Sequence, residues 1–172
     1  MSNNNLAREK FEAGMADFVG HNYGRSIDLL SAAIELDPRF TLALKSRGAA
    51  YLKLDKIQEA IADMNAVIEI APENARAYHM RGLAFYKSGD FDRALEDFGQ
   101  ALKLNPDYGT AYYSRANLHS KMGHPDLAGE DIQMVTRLSE VNIESFASEN
   151  NVWRSLHLRL ESLYDDDLTM ER

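Results

Sequence analysis

The sequence predicts an all-α chain, an α-α superhelix of four helix-turn-helix repeats followed by a C-terminal capping helix. Three observations carry this. Pro38, Pro72 and Pro106 stand 34 residues apart, each closing a similar phrase: Ile34-Glu-Leu-Asp-Pro38, Ile68-Glu-Ile-Ala-Pro72 and Leu102-Lys-Leu-Asn-Pro106. Further columns keep the same step, namely Gly14, Gly48, Gly82 and Ala116; Ser26, Ala60, Ala94 and Ala128; and Leu30, Met64, Phe98 and Ile132. Within each unit the apolar residues fall at three- and four-residue spacings, as in Ala60-Ile61, Met64, Val67-Ile68 and Ala71, the mark of amphipathic helices. A fixed period of this length is the signature of stacked hairpins, because one hairpin cannot bury its own apolar face.

In chain order, residues 1–6 form an N-terminal extension. The repeats occupy 7–40, 41–74, 75–108 and 109–142, with two helices in each. Gly48 and Gly82 are expected where the two helices of a hairpin cross, since a missing side chain lets backbones approach, and Ala60, Ala94 and Ala101 serve the same contact. Gly89-Asp90 and Gly123-His124-Pro125 mark the turn inside a unit, with Asp90 suited to an N-cap and Pro125 to a first helical turn. The prolines end second helices, because they lack a donor and disfavour helix in the residue before them. The fourth unit has Glu140 in place of that proline, and the first has Lys10 and Asp17 in the columns of the aromatics Tyr78 and Phe85, as terminal repeats commonly depart from the pattern. Residues 143–164 place Val152, Trp153, Leu156, Leu160, Leu163 and Tyr164 along a helical stripe and read as the capping helix, and 165–172 as an acidic tail.

On these residues the chain resembles the tetratricopeptide repeat, whose pattern sets aromatics, Gly, Ala and Pro at fixed offsets. The third unit carries it best, with Tyr78, Arg81-Gly82, Phe85, Ala94, Phe98 and Pro106, and departs where Arg81 stands for the usual leucine. The resemblance implies a non-catalytic protein-interaction module that presents the first helix of each unit to a concave groove.

The residues themselves exclude several other classes. Twenty-seven acids against 19 Lys plus Arg leave a net charge of −8, the wrong sign for general nucleic-acid binding. With no cysteine there is no thiolate chemistry or Cys-based zinc site, and the five histidines show no metal-ligand spacing. Neither a phosphate-binding glycine loop nor a catalytic constellation is visible, so the chain is expected to need no cofactor and to be no enzyme. No apolar run is long enough to span a bilayer and no signal core opens the chain, which predicts a cytoplasmic protein without membrane insertion.

Two sets of polar residues recur. Arg47, Arg81 and Arg115 form one column and Asp63, Asp97 and Asp131 another, while the first unit has Ala13 and Leu29 in those places. Columns that appear and vanish together imply a structural Arg-Asp ladder, either within units or between them, from Asp63 to Arg81 and Asp97 to Arg115. His119, in the column of Tyr51 and Phe85, is expected to be a partly buried structural residue.

The face that the resemblance turns inward holds Arg8, Phe11 and Met15 in the first unit and Lys45, Ala49 and Lys53 in the second. The third supplies Arg76, His79, Tyr86 and Lys87, and the fourth Tyr113, Asn117 and Lys121. This face carries six cations and, with Glu12, one carboxylate, on a chain that is otherwise strongly acidic. It predicts a basic groove with aromatic anchors for a peptide or protein segment bearing acidic groups. The clamp with which some tetratricopeptide cochaperones hold chaperone C-termini is not reproduced. Its positions fall on Phe11, Met15, Ser46, Arg76 and Met80, of which only Arg76 fits, and starting one unit later leaves Lys45 alone. The alternative function is a self-associating scaffold, a homodimer through the C-terminal helix or an end-to-end stack.

Overall fold

Among the described residues the 34-residue period folds as eight helices with a repeated pair of turns. The computed structural model describes the backbone of residues 3–149 and the side chains of residues 3–140. Helices α1 (Asn3–Val19) and α2 (Tyr23–Leu36) form the first hairpin, α3 (Thr41–Lys53) and α4 (Ile57–Ile70) the second, α5 (Ala75–Ser88) and α6 (Phe91–Leu104) the third, and α7 (Gly109–Lys121) and α8 (Pro125–Glu149) the fourth.

One turn serves all four hairpins. Residue 21, 55, 89 or 123 lies in the left-handed region, with φ of 61° at His21, 56° at Asp55, 83° at Gly89 and 82° at Gly123. The next N–H then reaches back five residues, from Asn22 to Asp17, Lys56 to Tyr51, Asp90 to Phe85 and His124 to His119, at 2.8–2.9 Å. This Schellman closure satisfies a helix-end carbonyl and reverses the chain. Asp90 caps α6 by accepting from the Arg93 N–H, and Pro125 opens α8, both as the sequence predicts.

A second turn joins each hairpin to the next. Asp37, Ala71 and Asn105, the residues before the prolines, are extended, and their N–H groups close onto Ala33, Val67 and Ala101. Where Glu140 replaces the proline nothing enforces a stop. Helix α8 accordingly runs eleven residues past Leu138, the column in which Leu36, Ile70 and Leu104 end their helices, and is continuous through position 143, where a separate helix was expected to begin. The apolar stripe from Val152 to Tyr164 and the tail 165–172 lie outside the described residues.

The core is a row of small clusters at the hairpin crossings. Leu30, Met64 and Phe98 are fully buried on second helices, each against the glycine of its own hairpin. A Cβ at Gly14, Gly48 or Gly82 would lie 2.9 Å from Leu30 Cγ, 2.6 Å from Met64 Cε or 2.7 Å from Phe98 Cε1, so the glycines do permit the close crossing. In the fourth unit Ala116 stands opposite Ile132, which is 43% exposed. First helices of successive units touch one another, α1 with α3, α3 with α5 and α5 with α7. The first helices thereby line the concave side, as the resemblance implied.

Candidate functional site

The Arg-Asp columns resolve into three ion pairs inside units. Arg47 meets Asp63 at 2.6 and 3.0 Å, Arg81 meets Asp97 at 2.7 and 2.8 Å, and Arg115 meets Asp131 at 2.6 and 2.9 Å, each as a two-pronged fork. Of the two pairings the sequence left open, the geometry takes the one within the hairpin. What crosses between units is the remaining guanidinium N–H: Arg47 donates to Ser31 at 2.9 Å and Arg81 to Asn65 at 2.7 Å, both on the preceding hairpin. The equivalent position before Arg115 is Gly99, which has no acceptor to offer. The aspartates are about 95% buried, so these are not surface pairs of negligible strength. Removing one arginine would strand a buried carboxylate, at a cost of about 3 kcal/mol or more. The fork holds each guanidinium firmly protonated, with burial opposing. These side chains are occupied by the scaffold.

Twelve of the thirteen predicted groove residues come together, and Arg8 stands apart, lining none of the cavities on this face. The central cavity, about 760 Å3, lies across α3 and α5, between Ala49, Lys53, Arg76, His79, Tyr86 and Lys87. A second lies toward α1 with Phe11, Met15 and Lys45, and shares Ala49 and Arg76 with the first. A third lies along α7 with Tyr113, Asn117 and Lys121, and shares Tyr86. Together they form one trough. Tyr108, which caps α7 from the turn, also lines the centre and was not anticipated. Its signal was present in the column it shares with Phe40, two residues past each proline.

Within the trough the residues do different work. His79 is buried, and both of its ring nitrogens are engaged, Nε2 with Ser114 Oγ at 2.9 Å and Nδ1 with Tyr108 Oη at 3.2 Å. Because Ser114 spends its hydroxyl proton on the Thr110 carbonyl, His79 must donate from Nε2 and accept at Nδ1 from Tyr108. Burial, with Arg76 adding to it, holds the imidazole down to about 4, so it is neutral near pH 7 and ties α5 to α7. His119 is half-buried with its Nδ1 unpartnered, consistent with the structural place expected for it.

The groove cations sort into two rims. Lys53, Lys87 and Lys121 repeat in one column and lie in the last turns of α3, α5 and α7, where a cation complements the negative end of the helix dipole. Lys87 is further held by Asp55 at 2.6 Å and the Leu52 carbonyl at 3.2 Å, and Lys121 lies 4.9 Å over the Tyr86 ring. Lys45 and Arg76 are unlike these. Arg76 sits in the first turn of α5, where the dipole is positive, Lys45 opens the second turn of α3, and no carboxylate pairs with either among the described residues. Burial, and then Arg76 itself, press the Lys45 ammonium below its ordinary value. At the corresponding positions of the neighbouring units an aromatic pair closes the space: Phe11 on Phe40 with ring centres 5.0 Å apart, and His79 on Tyr108 at 5.1 Å. In the second unit these two columns hold Lys45 and Asn74 in place of rings, and Lys45 lines a cavity together with Arg76.

A solenoid of stacked helical hairpins with a trough along its first helices is the class of protein that this fold and site define. The family model described as a TPR repeat matches residues 48–89 and 82–123. Residues 48–123 of the chain thus match tetratricopeptide repeats. Among solved structures it is similar to MamA from Desulfovibrio magneticus RS-1, at 23% identity over 78% of this chain and 76% of that one, with a TM-score of 0.72. The TPR domain of Arabidopsis OM64 is 28% identical over 69% of this chain and 98% of that one, with a TM-score of 0.67. The first TPR of Spaghetti (RPAP3), bound to the HSP90 peptide SRMEEVD, is 23% identical over 70% of this chain and 95% of that one, also with a TM-score of 0.67. No curated protein matches the chain by sequence. Among the described residues no cluster of three His, Asp or Glu could hold a metal, and no helix is long and apolar enough to cross a membrane.

Proposed function

We propose that the chain is a non-catalytic adaptor that holds an extended, acidic segment of another protein in its concave trough, with Lys45 and Arg76 as the anchor for carboxylates. The observation that carries this reading is the placement of that pair. Two neighbouring cations without a counter-charge, one of them in the first turn of its helix and the other partly buried and depressed by it, are unfavourably placed until an anion arrives. Flanking them, Tyr86, Tyr113 and Phe11 offer aromatic surface of the kind that dominates interface energies. That a tetratricopeptide neighbour is bound to an HSP90 peptide, SRMEEVD, supports an acidic segment as the class of ligand, although of the known clamp only Arg76 is matched here. The self-associating alternative rests on Trp153, Leu156 and Leu160, which lie outside the described residues, and no observation in the trough favours it.

Selection of random short peptides on the full chain tests the proposal. Enriched peptides should carry Asp or Glu, and by calorimetry should lose at least about tenfold in affinity for a Lys45→Glu, Arg76→Glu double variant. A Lys53→Glu, Lys121→Glu variant, which removes the same charge from the other rim, should stay within about threefold of wild type. Enrichment of peptides without acidic residues, or equal losses from the two rims, would remove the anchor.

A further inference from the structure

The chain carries an anion of its own that matches the anchor. Residues 165–172 read Asp-Asp-Asp-Leu-Thr-Met-Glu-Arg, four carboxylates against one arginine, and among the described residues Lys45 and Arg76 line one cavity with no carboxylate paired to either. The topology of the described residues leaves the chain on the anchor's side of the array. In each hairpin the second helix runs back to the end at which the next first helix starts, so α8 ends on the same side of the array as the N-terminal halves of α3 and α5, which hold Lys45 and Arg76. Helix α8 carries the chain about 16 Å beyond the column where the other second helices stop. From Glu149 to Asp165 is sixteen residues, a span of about 24 Å as helix and about 50 Å fully extended, whereas α7, α5 and α3 are neighbours at roughly 10 Å per step.

We infer that, when no partner is present, the Lys45–Arg76 anchor is occupied by the acidic tail of the same chain, residues 165–172, which a partner must displace. This rests on the reading of the trough as a site for acidic segments. It makes binding self-gated. A tethered tail acts at an effective concentration on the order of millimolar, so even an intrinsic dissociation constant of about 0.1 mM would fill the anchor and weaken an outside ligand by about tenfold. Any modification that neutralised the tail would release the trough, and a partner with more carboxylates, or with an aromatic for the Tyr86 region, would outcompete it.

Because the chain has no cysteine, Met170→Cys gives a single site for a nitroxide. In full-length protein labelled with nitrogen-15, the inference predicts paramagnetic broadening of backbone amides around Lys45, Ala49, Arg76 and Met80. The broadening should vanish in Lys45→Glu, Arg76→Glu and in 1 M salt, where the screening length is about 3 Å. A mixture of spin-labelled protein without isotope and isotope-labelled protein without spin label should show none. Broadening in that mixture would mean that a second copy supplies the tail, and broadening elsewhere or nowhere would mean that the tail is not the occupant; either overturns the inference. In parallel, an acetylated and amidated Asp-Asp-Asp-Leu-Thr-Met-Glu peptide is titrated into wild type and into Asp165→Asn, Asp166→Asn, Asp167→Asn, Glu171→Gln. Affinity about tenfold higher for the neutral-tail variant is expected. Equal affinity for the two sinks the tail and leaves the acidic trough standing, whereas no binding to either, with the selected peptides also failing, removes the trough reading as well.

Discussion

Four hairpins make the same left-handed turn with three different residues, and the backbone cost differs among them. Glycine takes positive φ freely, whereas a side chain there costs roughly 1 kcal/mol, less whatever local bond it makes. His21 recovers part of this through its 2.8 Å contact with the Tyr23 hydroxyl, and Asp55 through its pair with Lys87. Replacing His21 with glycine should therefore stabilise the fold by about 0.5 kcal/mol in urea denaturation, while Gly89→Ala should cost about 1 kcal/mol. A Gly89→Ala variant as stable as wild type would contradict the requirement for positive φ. The glycine column announces this turn only in the third and fourth units. In the first two the sequence is silent, because histidine and aspartate are ordinary residues until the backbone around them is known.

At the scale of the helix pair, the crossings differ in how well they would accept a side chain. An alanine at position 48 would press on the terminal methyl of Met64, which can turn aside, and would gain about 1 kcal/mol of helix propensity over glycine. An alanine at 82 would press on the edge of the Phe98 ring, which is fully buried. Overpacking of that kind costs about 1–3 kcal/mol, so Gly82→Ala should be at least about 1 kcal/mol less stable than Gly48→Ala, and equal stability would show that the ring has room. The link between α5 and α7 brings a pH dependence. His79 titrates at about 4 in the fold against the ordinary value of 6.5, so between those values the unfolded chain holds a proton that the folded chain does not. Stability contributed by the neutral ring is thus complete above about pH 6.5 and is lost as the pH falls toward 4, by up to about 3 kcal/mol. Thermal unfolding at pH 7 and pH 5 should show a larger drop for wild type than for His79→Gln. Parallel drops would mean that another group carries the acid sensitivity.

The whole molecule follows from how these units add. Successive first helices touch, the trough forms on their side, and each hairpin is completed by the next, as Phe98 is by Leu118 of α7. The columns that build this were legible in the sequence, since apolar periodicity, glycine at a crossing and proline at a helix end each have one dominant physical meaning. The ladder was legible as a set of residues but not as bonds. An arginine reaches several acceptors, and only the packed hairpin shows that Arg81 closes on Asp97 while reaching back to Asn65. The inward cations were legible as a count, yet their division into two rims was not, because charge at a helix terminus depends on where the terminus falls.

By itself the sequence determined the period, the helices, the side of each helix that is buried and the excess of positive charge on one face, all of which depend on residues near in sequence or repeated at a fixed step. Only the tertiary structure decided which cations are already neutralised. Lys87 finds Asp55 from 32 positions away, Lys121 finds the ring of Tyr86, and Lys45 and Arg76, from different hairpins, converge on one cavity, where the neighbouring units have paired aromatic rings in the Lys45 column. Contacts of that kind depend on how hairpins stack, and pairwise stacking distances are not encoded in any single stretch of the chain.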